Sequence, residues 1–317
     1  MTPMKHISKV FDTSEQIAFD DSSRFILMSD SHRGDGSWAD DFSKNQNLFF
    51  AALSHYYSEK YTYIEIGDGD ELWENSKFSK IVNVHNETFE LLSKFFDENR
   101  LYFIYGNHDM VKKNEQFVID EMYQYFDMRE RIQVPLFYGI KVHEGLVLKH
   151  KETNDNILLI HGHQVDYMNS QMWMINRLLV RYLWRPLESW GINDPTSTAK
   201  NYEKKEAVEK KLTEWVIKEK QILIAGHTHR PMFPDPGEPP YFNAGSGVHP
   251  HGITGIEIAD GNIILVKWGV RTREDGTLFI GREILAGPVK LKDYFTKAID
   301  EPLIYMNSIN KSAIVNI

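Results

Sequence analysis

Short apolar runs that end in glycine and polar residues recur along the chain and give the first indication of its fold. Five such runs have the length of buried strands and lie at residues 24–29, 61–66, 101–105, 156–160 and 221–225. Apolar residues also recur at helical spacing, which predicts helices over residues 43–58, 87–96 and 202–220. Strands that alternate with helices are typical of parallel βαβ units. We therefore predict an α/β fold whose first half forms a largely parallel sheet.

The pattern changes after Gly226, where short strands and turns replace the alternation of strands and helices. Strands are predicted over residues 241–244, 255–258 and 263–268. The last two are joined by Ala259-Asp260-Gly261, a sequence typical of a hairpin turn. We expect this half to form an antiparallel sheet that packs on the first sheet. No linker composition separates the halves, so we predict one domain over residues 1–317.

Side chains that can bind metal ions follow each of the five long apolar runs. They are Asp30 and His32, Asp68, Asn107, His161 and His163, and His227 and His229. Loops that leave the carboxyl ends of strands in an α/β sheet converge above it, so we expect these groups to meet. One residue separates Asp30 from His32, which lets both side chains project in the same direction. A single histidine is most simply a surface or core residue, but five clusters in the same position favour a shared site.

The candidate ligands define the class of metal. Mixed oxygen and imidazole ligands suit Mn, Fe, Zn, Co or Ni, whereas Ca and Mg sites hold few histidines. Seven ligands are enough for two ions that share a carboxylate, and such a pair can activate a bridging hydroxide for displacement at phosphorus. The chain has 13 histidines and no cysteine. The absence of cysteine excludes thiolate zinc sites, iron–sulfur clusters and a cysteine nucleophile.

Charge and composition narrow the range of partners. Lys and Arg number 36 against 45 Asp and Glu, which gives a formal charge of −9. This acidic balance disfavours a nucleic-acid partner, which would select a basic surface. No apolar targeting segment and no run of membrane-spanning length is visible, so we expect a cytoplasmic protein and leave peripheral membrane contact open. The sequence makes no prediction of oligomeric state.

The five clusters resemble the signature of the calcineurin-like metallophosphoesterases. Their blocks D-x-H, G-D-x-x-[DE], G-N-H-[DE], a histidine block and G-H-x-H correspond to residues 30–32, 67–71, 106–109, 161–163 and 226–229. The segment at 241–246 also resembles the Asn-x-Gly-Ser sequence that follows the last block in this family. The resemblance spans residues 24–268 and implies a sandwich of two β-sheets flanked by helices, in α/β/β/α layers.

The resemblance also implies roles for individual residues. Seven residues would hold two divalent ions: Asp30, His32 and His229 the first, Asn107, His161 and His227 the second, and Asp68 both. His108 would contact the phosphate or protonate the leaving group, oriented by Asp109. His161 is favoured as ligand because it lies directly at the strand end, which leaves His163 to contact the substrate or support a ligand. Mn is the favoured metal, with Fe and Zn as alternatives.

Residues beside the blocks are candidates for contacts to the substrate or to the ligands. Arg33 follows the first block and is interpreted either as a residue that binds a phosphate oxygen or as a solvated loop arginine. Glu71 is expected to lie behind a ligand or at the start of a helix. Asp166 is expected to orient a ligand imidazole.

The stretch at residues 167–190, between the fourth and fifth blocks, is rich in Met, Trp and Leu. Arg177 and Arg181 are four residues apart and place basic charge on one face of a helix. The stretch is interpreted either as a core helix with solvated arginines or as a lid that binds an acyl group and a diphosphate. Its position resembles the insertion of UDP-2,3-diacylglucosamine pyrophosphatases, whose third block has Arg where this chain has His108.

These observations leave several functions open. The favoured function is hydrolysis of a phosphomonoester, phosphodiester or diphosphate in a small or lipid-linked substrate, and the alternative is a lipid-linked nucleotide diphosphate. A protein phosphatase, a nuclease and an inactive scaffold are less favoured, because all seven ligand positions hold competent residues and the chain is acidic. A C-terminal extension over residues 291–317 is expected to pack on the domain or on a partner.

Overall fold

A computed structural model describes residues 2–166, 178 and 201–295. The helices in these ranges are α1 (Pro3–Thr13), α2 (Gln46–Ser58), α3 (Phe78–Val84), α4 (Asn86–Asp97), α5 (Glu115–Met122) and α6 (Tyr202–Glu219). The strands are β1 (Glu15–Phe19), β2 (Phe25–Met28), β3 (Thr62–Ile66), β4 (Leu101–Ile104), β5 (Gln124–Asp127), β6 (Ile132–Pro135), β7 (Val142–His143), β8 (Gly145–His150), β9 (Asn156–Ile160), β10 (Ile222–Ala225), β11 (Tyr241–Asn243), β12 (Ile253–Ala259), β13 (Asn262–Thr272) and β14 (Leu278–Lys290). The five strands and three helices predicted from the apolar pattern are all present.

Two sheets carry the fold. The seven-stranded sheet has the order β14-β13-β12-β2-β3-β4-β7, and the five-stranded sheet has the order β1-β8-β9-β10-β11. In the larger sheet β2, β3, β4 and β7 run parallel, while β12, β13 and β14 continue it in antiparallel fashion from β2. In the smaller sheet β9, β10 and β11 run parallel. Strands β5 and β6 form a separate antiparallel pair.

The predicted division of the sheets between the two halves of the chain is wrong. Strands β12, β13 and β14 are antiparallel as expected, but β12 pairs with β2, so they extend the first sheet and do not form the second. The second sheet takes strands from both halves of the chain. The alternation of side chains along a strand is the same whichever strand lies beside it, so the pattern identifies strands without identifying their neighbours.

Apolar side chains cover both faces of each sheet. Leu27 and Ile64 of the larger sheet pack with Leu159 and Ile224 of the smaller sheet in the layer between them. Helices α2, α3, α4 and α5 cover the outer face of the larger sheet, and α1 and α6 cover the smaller sheet through residues such as Trp215. Strands buried on both faces read as continuous apolar runs, which explains the pattern in the sequence. The predicted sandwich of two sheets flanked by helices is confirmed.

The ends of the described chain pack on this sandwich. Residues 2–23, for which the sequence made no prediction, include α1 and the edge strand β1, which pairs with β8. Leu291, Tyr294 and Phe295 pack into the apolar layer between the sheets. No helix within the described ranges is long and apolar enough to cross a bilayer. Apart from Leu178, the stretch at 167–190 lies outside the described residues, as do residues 296–317, so the lid, the extension and the single domain stay predictions.

Candidate metal centre

Five loops at the carboxyl ends of strands carry the predicted ligands. The first three loops follow adjacent strands of the larger sheet, and the last two follow adjacent strands of the smaller sheet. The ligands are Asp30 and His32 after β2, Asp68 after β3, Asn107 after β4, His161 after β9, and His227 and His229 after β10. Because all these strands end at the same edge of the sandwich, the two sheets together supply one site.

Asp30, His32 and His229 form the first group of candidate ligands, and one potential ligand atom from each lies within 4.8 Å of the others. The Nε2 atom of His229 is 3.0 Å from Asp30 Oδ1, and that of His32 is 3.9 Å from the same oxygen. The two imidazole Nε2 atoms lie 3.3 Å apart. Two imidazole nitrogens and a carboxylate oxygen that converge in this way fit a divalent transition-metal ion.

Asp68, His161 and His227 form the second group, with the same 4.8 Å limit between their ligand atoms. His161 donates a hydrogen bond from Nδ1 to the carbonyl oxygen of Ile66 at 2.8 Å, which leaves Nε2 as the atom that faces the group. That Nε2 is 3.1 Å from Asp68 Oδ2 and 3.2 Å from the side-chain oxygen of Asn107. Asp68 Oδ2 is also 3.9 Å from His32 Nε2 of the first group, so this carboxylate lies between the two groups.

Buried polar atoms in both groups support a metal-binding role. His227 Nε2 makes no hydrogen bond within the described part of the chain, and its ion-pair partner Asp166 lies 3.6 Å away. The Oδ1 atom of Asp30 also lacks a hydrogen bond among the described residues, although imidazole nitrogens surround it. A buried polar group without a hydrogen bond costs about 1–3 kcal/mol, which bound cations would offset. The residues present therefore fit a pair of metal ions.

The backbone at most of these ligands is left-handed. The φ angles are 55°, 48°, 51°, 69° and 55° at Asp30, His32, Asp68, His227 and His229. Positive φ is uncommon outside glycine and clusters at functional sites, where the surrounding structure holds it in place. Gly106 gives Asp68 the space it needs, because a Cβ atom at Gly106 would lie 2.1 Å from Asp68 Oδ1. The fold thus maintains a costly backbone in order to direct these side chains into one site.

The carboxylates create a strong negative field at the centre. Burial lowers the pKa of His32, but its hydrogen bond with Glu71 and the charges of nearby carboxylates outweigh burial and raise that pKa to about 10. Burial also opposes protonation of His161, yet Asp68 and Asp30 raise its pKa to about 9. A field that holds protons on two buried imidazoles also attracts divalent cations.

His108 lies at the rim of the centre, with its side chain 25% exposed. Its Nδ1 atom is 2.7 Å from Glu71 Oε2, and its ring stacks on Trp73 at 4.2 Å with an angle of 22°. Glu71 Oε2 also lies 3.0 Å from His32 Nδ1. Burial raises the pKa of Glu71, but the charge of His108 and the charge and hydrogen bond of His32 lower it to about 2, so Glu71 is ionised. One carboxylate therefore orients both imidazoles.

The prediction that Asp109 orients His108 is wrong. Its Oδ2 accepts a hydrogen bond from Lys112 Nζ at 2.7 Å, and its Oδ1 accepts hydrogen bonds from the backbone N–H groups of Gly106 and Asp68 at 2.6 and 3.3 Å. Glu71 takes the orienting role because the second and third blocks lie side by side. The sequence places Glu71 at the end of the second block but does not show that this residue, and not Asp109, contacts His108.

Both interpretations of Arg33 are also wrong. Its side chain is completely buried. Its Nε atom donates to Asp70 Oδ1 at 2.8 Å, and its two terminal nitrogens donate to the carboxylate of Glu65 at 2.7 and 2.8 Å. Arg33 is therefore neither a solvated loop residue nor directed at a phosphate, because all three guanidinium nitrogens bind carboxylates.

The remaining substrate contacts stay predictions. His163 is buried beside His161, with 5.5 Å between the ring centres. Burial and the positive charges of His161 and His227 lower the pKa of His163 well below its usual value, so its ring is neutral. Arg177 and Arg181 lie outside the described residues. The sequence analysis missed Trp73 and Lys112, and no pattern in the chain distinguishes Lys112 from the lysine that follows it.

A sequence model of the calcineurin-like phosphoesterase family matches residues 23–231, about two-thirds of the chain. The match includes all five ligand-bearing loops, and the chain belongs to this family of phosphoester hydrolases. A comparison with curated proteins found no significant match. Family membership and the two groups of ligands together establish a metal-dependent phosphoesterase of the type that uses two metal ions.

Proposed function

We propose that this member of the family hydrolyses a phosphoester or diphosphate bond in a small or lipid-linked substrate, with His108 as the general acid. The observation that carries the proposal is the placement of His108, which lies at the rim of the centre and is held by Glu71 and Trp73 beside the ligand His32. A side chain that is partly exposed and rigidly oriented is suited to meet a leaving group that enters from solvent.

The seven predicted ligands would hold the two ions. Asp30, His32 and His229 would bind one ion, Asn107, His161 and His227 the other, and Asp68 would contact both. Bound there, divalent ions supply Lewis-acid stabilisation of the charge that develops on the phosphoryl oxygens. We propose Mn as the resident metal, since the ligands are imidazoles and oxygens and include no thiolate, and Fe or Zn would suit the same ligands.

His108 supplies the proton in this proposal. The ionised Glu71 carboxylate is the ion-pair partner of His108 Nδ1 at 2.7 Å, and we assign Nε2 as the nitrogen that donates a proton to the leaving-group oxygen. The stack on Trp73 limits rotation of the ring, so the donor keeps its direction. General acid catalysis of this kind contributes about 10²–10⁴-fold to the rate, and most when the leaving group is a poor one.

Substitution of His108 tests this role. We expect His108→Ala to slow the hydrolysis of an alkyl phosphoester by about 10²-fold or more, and that of a p-nitrophenyl ester much less. His251→Ala, which changes an exposed histidine outside the site, is the matched control and should leave both rates unchanged. Equal losses on the two esters would contradict proton donation and favour a role in positioning the phosphate.

A substrate panel with metal analysis tests the rest of the proposal. Elemental analysis of the purified protein should find up to two equivalents of Mn, Fe or Zn per chain. The panel should contain monoesters, diesters and nucleotide diphosphate sugars with and without acyl chains. Preference for acylated diphosphates would select the lipid-linked alternative, and indifference to acyl length would remove it. No turnover of any member by the metal-loaded protein would overturn the proposed function.

A further inference from the structure

A second cluster of charged side chains lies in the protein interior beside the metal centre. It consists of five residues that are each at most 2% exposed: Arg33, Glu65, Asp70, Asp109 and Lys112. We call it the buried ion-pair cluster. It joins the first three ligand-bearing loops, because Arg33 belongs to the first, Asp70 to the second and Asp109 to the third.

Lys112 is the cation that connects the second and third loops. Its Nζ atom donates to Asp70 Oδ2 at 2.6 Å and to Asp109 Oδ2 at 2.7 Å. Oxygens of these two carboxylates and of Glu65 lie within 4.8 Å of one another. Like charges at this separation in a buried site repel strongly, and the ammonium group is what allows Asp70 and Asp109 to lie so close.

The carboxylate of Asp109, which Lys112 binds, accepts hydrogen bonds in turn from the backbone of the loops that carry Asp68 and Asn107. Asp109 Oδ1 accepts the N–H groups of Gly106, which precedes Asn107, and of Asp68 itself. Asp68 Oδ1 accepts the N–H group of His108 at 2.7 Å. Movement of Asp109 would therefore shift both the shared carboxylate and the loop that carries Asn107 and the general acid.

The side chain of Lys112 lies in the protein interior and is not directed into solvent. It lies in a short 3₁₀ turn, Met110–Lys113, where the next residue, Lys113, is exposed. Its ammonium group lies over the rings of Phe78 and Phe103 at 5.9 and 5.6 Å. An ammonium group loses its hydration in such surroundings and is retained there only with paired carboxylates.

We infer that Lys112 is a positioning residue of the metal centre. By pairing with both Asp70 and Asp109 it holds the loops of Asp68 and Asn107 in the arrangement that would bind two ions. The inference rests on the proposed function only for its effect on catalysis, since its effect on metal binding can be measured without turnover.

Replacement of Lys112 by a neutral side chain of similar length tests the inference. We expect Lys112→Met to weaken Mn binding by the metal-free protein about 10–100-fold, as measured by competition with a chelator, and to lower kcat without raising KM. Lys113→Met is the matched control, and its affinity and kcat should equal those of the wild type. Identical Mn affinity and kcat in the two variants would overturn the inference.

A second substitution separates charge balance from simple packing. In the Asp70→Asn/Lys112→Met variant the excess negative charge is reduced, so we expect Mn affinity to recover toward that of the wild type. A role in packing alone predicts no recovery, and that result would also overturn the inference. If circular dichroism shows that Lys112→Met does not fold, Lys112→Gln replaces it in both comparisons, with the same expected loss and recovery. If the wild type binds Mn but hydrolyses no phosphoester, the proposed function fails and the affinity comparison still decides the role of Lys112.

Discussion

Two groups of buried charges lie side by side in this protein, and they are balanced in opposite ways. In the buried ion-pair cluster, Arg33 and Lys112 stand among three carboxylates and bind all of them. In the metal centre the carboxylates of Asp30 and Asp68 face imidazoles, and no lysine or arginine is an ion-pair partner of either among the described residues. In the first group every carboxylate is paired with a cation of the chain itself, and the second group is arranged to be paired with bound cations.

The comparison shows how one edge of a sheet can hold so many buried carboxylates. A buried ion is stable only when it is paired and hydrogen bonded, so each carboxylate needs a nearby cation. Asp68 and Asp70 are two residues apart, yet Asp70 binds Arg33 and Lys112 while Asp68 faces the ligand imidazoles. The arginine and lysine of the buried ion-pair cluster stabilise the same loops that carry the side chains of the metal centre.

The largest expected effect comes from removing the shared charge of the metal centre. Asp68→Asn keeps the shape of the side chain but loses its negative charge, so metal-dependent hydrolysis of bis-p-nitrophenyl phosphate should fall about a thousandfold, or about 4 kcal/mol in transition-state stabilisation. Unchanged turnover, with the fold checked by circular dichroism, would refute the two-metal interpretation of the centre.

Breaking the buried ion-pair cluster should change stability. Arg33→Met leaves Glu65 and Asp70 buried without their guanidinium partner, so the free energy of unfolding in urea should fall by about 3–5 kcal/mol. Arg24→Met is the control, because the ion pairs of Arg24 with Glu59 and Asp260 are longer, at 3.7 and 3.8 Å, and lie at the surface. Its loss should be about 0–1 kcal/mol. Similar losses in the two variants would show that the buried cluster contributes no more than a surface pair.

Removal of metal should lower the stability of the wild-type protein by a smaller amount, and this loss should depend on the metal centre. A ligand present at 100 times its dissociation constant stabilises the folded state by about 2.7 kcal/mol, so a chelator should lower the unfolding free energy of Mn-loaded protein by about that amount. The chelator should have little effect on Asp68→Asn, which lacks the shared ligand. An equal effect on both proteins would mean that the stabilising ion binds elsewhere.

The sequence predicted the candidate ligands that the structure brings together because their signal is local. Asp30 and His32, or His227 and His229, lie within three residues of each other directly after a buried strand, and the apolar run identifies that strand. The pairing of β12 with β2 could not be predicted in this way, since it joins residues more than 200 positions apart. The layers of the fold were therefore predicted correctly, and the membership of the two sheets was not.

The supporting residues were harder to predict because their direction depends on tertiary contacts. Lys112 and Lys113 are identical in type and adjacent, yet one is buried against two carboxylates and the other is exposed. Arg33 follows a ligand loop and would suit phosphate binding, but Glu65 on β3 draws it into the interior. Nothing in the local sequence of Asp109 and Glu71 indicates which of the two contacts His108.

The left-handed backbone of the metal centre has a consequence for the chemistry of its ligands. Five ligand positions have positive φ, and each is occupied by Asp or His. Together with Asn, these are the side chains most enriched in that conformation outside glycine. Glu and Cys can also bind transition metals, but in a left-handed backbone they would face a cost of about 1–2 kcal/mol per residue without local compensation. The turns of this fold therefore limit which amino acids can serve as ligands, and they do so before any preference of the metal applies.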